Sequence, residues 1–382
     1  MHRFALRPTN LALLVRTAGA AASLTLSVPA LAQDAAAPAA DVPAAEAPAA
    51  PPAPAEPAPA EPAPAAEMPA AEMPAAEAPA PEPAAAKPKP PPYSLPWQLR
   101  PVVAGSVVRS DTAFAFYKNP VSKNSGTTIA SMLLFSYKVM DGLAPLVRLG
   151  VVSNSPPDGV KVGMTTTDLK SSTGFLNPVV GATYAPKLGP NFKLGLFLGL
   201  TVPVGSGGGD DAKPEAKAAN AAGIPARSAM DNAMFAVNDF VVFPGVGFAY
   251  TNAGFTAQVE ATVLQLTQVR GGTKAQADES RTNFTTGLHL GYFIIPMLSI
   301  GGDLRYQRWL STPKAVEADE ALADDAQMGL RDTTTFAVGP RLHFKLSDSM
   351  WFRPGVAFAM PIDKPMSKSD YKMVQLDLPL AF

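Results

Sequence analysis

Cysteine is absent from this 382-residue chain and histidine occurs only three times. Without cysteine there is no disulfide framework, no thiolate zinc site and no cysteine nucleophile. With so few histidines a His-based metal centre has little to be made from, and no cofactor is expected. Charge is scarce as well: 16% of residues, against ~25% in ordinary globular proteins. Long apolar runs fit for a membrane helix are also missing after residue 32. The two longest uncharged stretches, 240–259 and 282–302, are interrupted by Pro244 and the polar turn Thr251-Asn252-Ala253-Gly254, and by His289 and Pro296. Proline, by contrast, is abundant: 41 residues, of which 19 fall between positions 33 and 92.

That clustering divides the chain in three. Residues 1–32 carry Arg3, Arg7 and Arg16 and no acid, then an uncharged stretch at 17–28, Pro29, and Ala30-Leu31-Ala32. A basic start, a short apolar stretch and a small-x-small site are the pattern of a secretory signal peptide. Twelve residues are too few to span a bilayer as a helix. Residues 33–92 are mostly Ala, Pro and Glu, with Glu67, Glu72, Glu77 and Glu82 repeating every five residues and a net charge of −7. Such a segment has almost nothing to bury and is expected to be a disordered, extended tether, placed in the periplasm. Residues 93–382 hold 26 basic and 23 acidic side chains, too even a balance for a nucleic-acid-binding face.

In this third part the hydrophobic period becomes two. Phe192, Leu194, Leu196, Leu198, Leu200, Val202 and Val204 alternate with Lys193, Gly195, Phe197, Gly199, Thr201 and Pro203, the spacing of a strand with two unlike faces. Twelve strands are predicted, at 99–116, 127–139, 144–153, 174–185, 192–204, 239–250, 255–266, 283–293, 298–309, 333–346, 351–360 and 371–382. Short connections (140–143, 187–191, 251–254, 294–297, 347–350) alternate with long ones (117–126, 154–173, 205–238, 267–282, 310–332, 361–370). Short turns at one end and long loops at the other are how bacterial outer-membrane barrels are built. Aromatics on the apolar parity gather at the short-turn ends, among them Tyr137, Tyr184, Phe192, Tyr292 and Phe382, as an interfacial girdle would require. The fold expected is all-β: a closed antiparallel transmembrane β-barrel of about twelve strands, preceded by a disordered Ala/Pro-rich segment, in contact with outer-membrane lipids.

The last twelve residues end in Phe382, with Leu380, Leu378, Leu376 and Val374 at steps of two before it. This resembles the terminal strand of Gram-negative outer-membrane β-barrels. The resemblance implies that Phe382, Leu380 and Leu378 form the signal read by the barrel-assembly machinery. Asn177-Pro178-Val179-Val180-Gly181 and Val202-Pro203-Val204-Gly205 resemble the barrels of the meta-pathway phenol degradation family of outer-membrane transporters. That likeness implies a barrel and assigns no site residue.

If the apolar parity faces lipid, the other names the lumen: Lys138, Arg148, Lys193, Glu260, Asp303, Arg305, Arg341, His343, Lys345, Arg353 and Asp377. A basic side chain facing mid-membrane lipid would cost ~2–4 kcal/mol, so one shared parity is what a barrel demands. The function expected is a channel or transporter for passive passage of small solutes, with anions preferred if the lumen is open, since seven of these side chains are basic and three acidic. The alternative is a structural anchor whose lumen is closed by salt bridges between Arg305, Arg341, Arg353 and Asp303, Asp377. The 205–238 loop, with helical stretches at 215–222 and 228–236, is expected either to constrict the pore or, with slightly more weight, to be a flexible surface loop. Catalysis is not expected: His289 and His343 fall on lumen parity, away from the outer-face Ser–His arrangement of a membrane phospholipase. The acidic run Glu317-Ala318-Asp319-Glu320 with Asp324 and Asp325 reads as a solvated charge run before it reads as a calcium site.

Overall fold

Alternation of apolar and polar residues over seven or more positions leaves each strand with one face for lipid and one for the interior, and the only arrangement that pairs every edge is a ring. In the computed structural model this ring is formed. The structure describes residues 93–382 except 119–122, 159–160, 163–164, 167–168, 211, 272–279, 314–330, 364–365 and 368. The signal peptide, the Pro-rich tether and the acidic run at 317–325 lie outside the described residues.

The strand segments are β1 (Val107–Lys118), β2 (Ser125–Ser136), β3 (Leu143–Ser155), β4 (Lys161–Val162), β5 (Thr165–Thr166), β6 (Ser172–Phe175), β7 (Val179–Tyr184), β8 (Phe192–Thr201) and β9 (Asp239–Asn252). They continue as β10 (Phe255–Gln268), β11 (Ser280–Ile295), β12 (Leu298–Trp309), β13 (Asp332–Leu342), β14 (Phe344–Lys345), β15 (Trp351–Phe352), β16 (Gly355–Pro361) and β17 (Lys372–Ala381). Neighbours pair antiparallel around the ring, and β1 pairs with β17 from Val107↔Ala381 to Phe116↔Lys372, which closes it. Three staves are broken in two: β6–β7 at residues 176–178, β13–β14 at His343, and β15–β16 at Arg353-Pro354. Counted as staves the barrel has twelve; β4 and β5 form a separate small hairpin.

The outer surface is apolar along the strands. Leu196, Leu198, Val246, Phe248, Leu290 and Phe358 are exposed at 40–50%, an exposure that only a lipid environment makes favourable over so continuous a face. Tyr137, Tyr184, Phe192, Tyr292 and Phe382 are exposed at the short-turn end. No helix among the described residues is long and apolar enough to cross a membrane.

Three sequence expectations need correction. The first strand begins at Val107, not Leu99: Leu99 and Val102 are 5% and 2% exposed and lie inside the barrel. Their run contains Pro101, which has no N–H for a ladder, and the backbone of residues 93–102 bonds to interior side chains instead. The stretch 174–185 is two segments, because Leu176 turns inward and Asn177 N donates to Met234 O at 3.0 Å rather than to β3. The 205–238 loop is not a surface loop, since it folds into the barrel.

Candidate functional site

The interior is filled from both ends. From the short-turn end comes the N-terminal segment, residues 93–106. From the long-loop end comes the β8–β9 connection, which holds α1 (Pro214–Ala226) and α2 (Asn232–Phe235).

The N-terminal segment is irregular, so its backbone groups need partners from the wall. Trp97 N and Gln98 N both donate to Asp303 Oδ2, at 2.9 and 2.7 Å. Ser94 N donates to Thr256 Oγ1 at 3.0 Å, and Gln258 Nε2 donates to Arg100 O at 2.7 Å. Arg100 donates to Glu260 through its backbone N–H and its guanidinium, the latter at 2.6 Å. The same guanidinium lies 4.4 Å from the centre of the Phe197 ring. Trp97 is the anchor: Arg341 stacks over its indole at 4.3 Å, Nε1 donates to Gly301 O at 3.3 Å, and Gln375 Nε2 donates to its carbonyl at 3.0 Å. The wall is hollowed for this segment. A Cβ at Gly355 would stand 2.5 Å from the Trp97 ring, one at Gly247 2.5 Å from Val102, and one at Gly291 2.3 Å from Ser94.

The loop meets its own backbone needs by forming helix. Pro214 supplies the first turn and Glu215 stands near the N-terminal end of the dipole, both favourable there. An Ala-rich middle lets the helix lie close to the wall. It can therefore present apolar side chains. Phe235, Met234, Ala219 and Ala233 pack with Met132, Val152, Leu176, Val241, Leu264 and Leu266 in a buried cluster. At the helix end a charged group crosses to the wall. Arg227 donates to both carboxylate oxygens of Asp111, at 2.8 and 2.7 Å, and through Nε to Asp231 at 2.9 Å. Asp231 in turn lies 2.5 Å from Arg148 Nη1.

The two insertions touch. Gln98 Nε2 donates to Ser228 Oγ at 2.9 Å. Arg305 reaches both, donating to Gln98 O at 3.0 Å and to Ala229 O at 3.2 Å. Ser228 and Ala229 carry φ of 52° and 55°, a left-handed conformation in two consecutive non-glycine residues that costs on the order of 1 kcal/mol or more each.

The residues expected in the lumen are placed as follows. Glu260, Asp303, Arg305, Arg341, His343 and Asp377 are buried on the interior face. Arg148 and Arg353 are partly buried there, and Lys193 is partly buried on the interior parity of β8. Lys138 and Lys345 do not line the buried interior. Their side chains are 44% and 51% exposed and pair with Asp141 and Asp348, because both sit past the point where the strand enters the barrel. There Lys138 and Lys187 donate to Asp141 and hold its carboxyl down to about 2.

The expected ladder is formed in part. Arg341 lies 2.6 Å from Asp377, which Arg109 also reaches at 2.6 Å. Asp303 is not paired to Arg305; it holds the N-terminal segment and lies 2.6 Å from His289 Nδ1. Arg305 and Arg353 have no carboxylate within ion-pair distance among the described residues. Sequence reasoning missed Arg100, Arg109, Asp111, Arg227 and Asp231. Arg109 and Asp111 share parity with Ala113 and Ala115, but alternation in the first strand was too weak to assign faces. No group of three or more metal-ligating side chains occurs among the described residues.

No family model and no curated protein matches the chain. Among solved structures it is similar to the COG4313 outer membrane channel from Pseudomonas putida F1, at 15% identity over 75% of this chain and 98% of that one, with a TM-score of 0.45. It is also similar to the KdgM porin in complex with disordered oligogalacturonate (10% identity, 72% and 99% coverage, TM-score 0.40) and to the NanC porin (8%, 72% and 98%, 0.39). These likenesses are of fold. The chain's own pairing and exterior define the class, a closed twelve-stave β-barrel of the outer-membrane kind.

Proposed function

We propose that this protein is an outer-membrane channel for small solutes whose lumen is closed at rest by the two insertions. The observation that carries the reading is how the closure is made. Wall side chains alone do not fill the interior, because the wall has glycine at Gly247, Gly291 and Gly355 where the N-terminal segment packs. A barrel serving only as an anchor would be expected to fill its interior from the wall, as small barrels do. Here the space is left by the wall and taken by segments that meet through a few hydrogen bonds at Gln98, Ser228 and Arg305. On this reading the short turns face the periplasm and the long loops the outside.

Single-channel recording in planar bilayers tests this. The full chain is expected to be silent or to open rarely. A variant with residues 93–102 deleted and residues 210–236 replaced by a short Gly-Ser turn is expected to conduct steadily. Silence in both, with heat-modifiable barrel on gels, would overturn the channel and leave the anchor. Anion preference belongs to the same reading: Arg305 and Arg353, with no carboxylate within ion-pair distance among the described residues, should set it. In the conducting variant, changing both to Gln should move the reversal potential toward cations, and added salt should shrink the preference in the parent.

A further inference from the structure

We propose that Asp111 and Arg148, on the barrel wall, form a binding site for a small zwitterion of the α-amino-acid kind, and that Arg227 and Asp231 of the loop are its resident substitute. The inference deepens the channel reading and rests on it for its purpose, though not for its geometry.

The geometry is a matched pair of ion pairs. Asp111 on β1 receives the Arg227 guanidinium edge-on through two hydrogen bonds of 2.8 and 2.7 Å. Arg148 on β3 takes the Asp231 carboxylate with both terminal nitrogens, at 2.5 and 3.4 Å. On the wall side, Arg148 and Asp111 are 3.8 Å apart. On the loop side, Arg227 and Asp231 are in contact at 2.9 Å. The wall therefore offers one anion beside one cation. The loop answers with one cation touching one anion, and that is also the charge layout of an amino acid. A dication or a dianion would bring a like charge against one half of the wall pair, which is strongly unfavourable in a desolvated site. Gln375 Nε2 donates to Asp111 at 2.9 Å, so the wall carboxylate stays oriented when the loop is away. Arg109, 4.0 Å from Asp111, keeps it from standing as an unpaired buried charge.

The loop also holds its place under strain. Ser228 and Ala229, the two left-handed residues, lie between Arg227 and Asp231 in sequence. In that conformation both charges reach the wall at once. A separate ligand carrying the same two charges needs no such backbone, so it competes with the loop on favourable terms. Its binding would part the loop from the wall at the level where the two insertions meet.

The test uses the full-length protein in detergent and a binding readout that needs no current: the temperature at which heat-modifiable mobility is lost. The probes are L-arginine, which has both charges, and agmatine, which lacks the carboxylate. In Arg227→Gln/Asp231→Asn the substitute is removed while the wall is intact. L-arginine should then raise the transition with a half-saturating concentration at least tenfold lower than in the unaltered chain, and agmatine should not. Adding Asp111→Asn or Arg148→Gln to that variant should abolish the effect. In the single variant Asp231→Asn, Arg227 remains on Asp111, so acetate should stabilise the barrel as a replacement carboxylate. Indifference of both folded variants to arginine and to acetate would overturn the site, as would equal response to arginine and agmatine. Failure of the channel reading appears elsewhere, as silence in bilayers of the variant without the two insertions.

Discussion

The two insertions solve one problem in opposite ways. The N-terminal segment lies in the lumen without regular structure, so backbone groups of Ser94, Trp97, Gln98 and Arg100 look to the wall. The wall there carries Asp303, Glu260, Gln258, Thr256 and Gln375. The loop brings a helix, whose backbone is satisfied internally, and the wall facing it carries Val152, Leu176, Val241, Leu264 and Leu266. The wall around the N-terminal segment is thus mainly polar, whereas around the loop it adds an apolar cluster to the charged pair Asp111 and Arg148. The difference follows from whether the occupant hydrogen-bonds to itself. Interior polarity in such a barrel reports on the conformation of what fills it, not only on what passes through it.

The sharpest way to break this comparison is to remove the wall acceptor that the irregular segment needs. Asp303→Ala strands the N–H groups of Trp97 and Gln98 and leaves His289 without its carboxylate. A loss of about 3–5 kcal/mol is expected for breaking such a buried charged contact. It should appear as a lower heat-modification temperature and as new chymotrypsin cleavage at Trp97. Unchanged protection of Trp97 would mean the segment is held by shape alone. The loop should suffer less from the equivalent change. In Arg227→Gln, Asp111 keeps Gln375 and Asp231 keeps Arg148, so about 1–3 kcal/mol is expected, the range for a lost hydrogen bond to a charged group and its desolvated partner. A loss as large as that of Asp303→Ala would show that the loop, too, depends on one charged contact with the wall. The smallest effect has the opposite sign. Ser228→Gly or Ala229→Gly relieves a left-handed residue and should stabilise the barrel by up to about 1 kcal/mol, less the entropy that glycine adds to the unfolded chain. Destabilisation of both variants would mean the side chains, such as Ser228 against Gln98, matter more than the strain.

Much of the wall was legible in the sequence. Alternation from Phe192 to Val204 gave the faces of β8, and the same parity put Glu260, Asp303, Arg341 and Asp377 inside. Parity cannot tell whether an interior position lies at mid-depth or past the rim, so Lys138 and Lys345 were misplaced. Nor can it see a segment that enters the lumen. Residues 99–104 are apolar enough to read as strand, and only Pro101 signals otherwise. Arg227 and Asp231 of the loop are ordinary helix-spaced neighbours in sequence. Their partners Asp111 and Arg148 lie more than eighty positions away, and no local pattern connects them.

The seam between β1 and β17 carries a consequence for assembly. Because the first and last strands pair along their length, from Val107↔Ala381 to Phe116↔Lys372, the ring cannot be sealed until the final strand is in place. The segment that precedes β1 lies on the concave side of the sheet. Bound there, it touches β10 through Glu260, β12 through Asp303, β13 through Arg341 and β17 through Gln375. It spans the sheet toward the edge that must find β1. In the closed barrel it ties β10, β12, β13 and β17 to one another across the interior. A chain lacking residues 93–102 would have to reach the curvature of the closed ring unaided, and the loss should be felt in the rate of insertion into lipid vesicles as well as in a lower heat-modification temperature of the finished barrel.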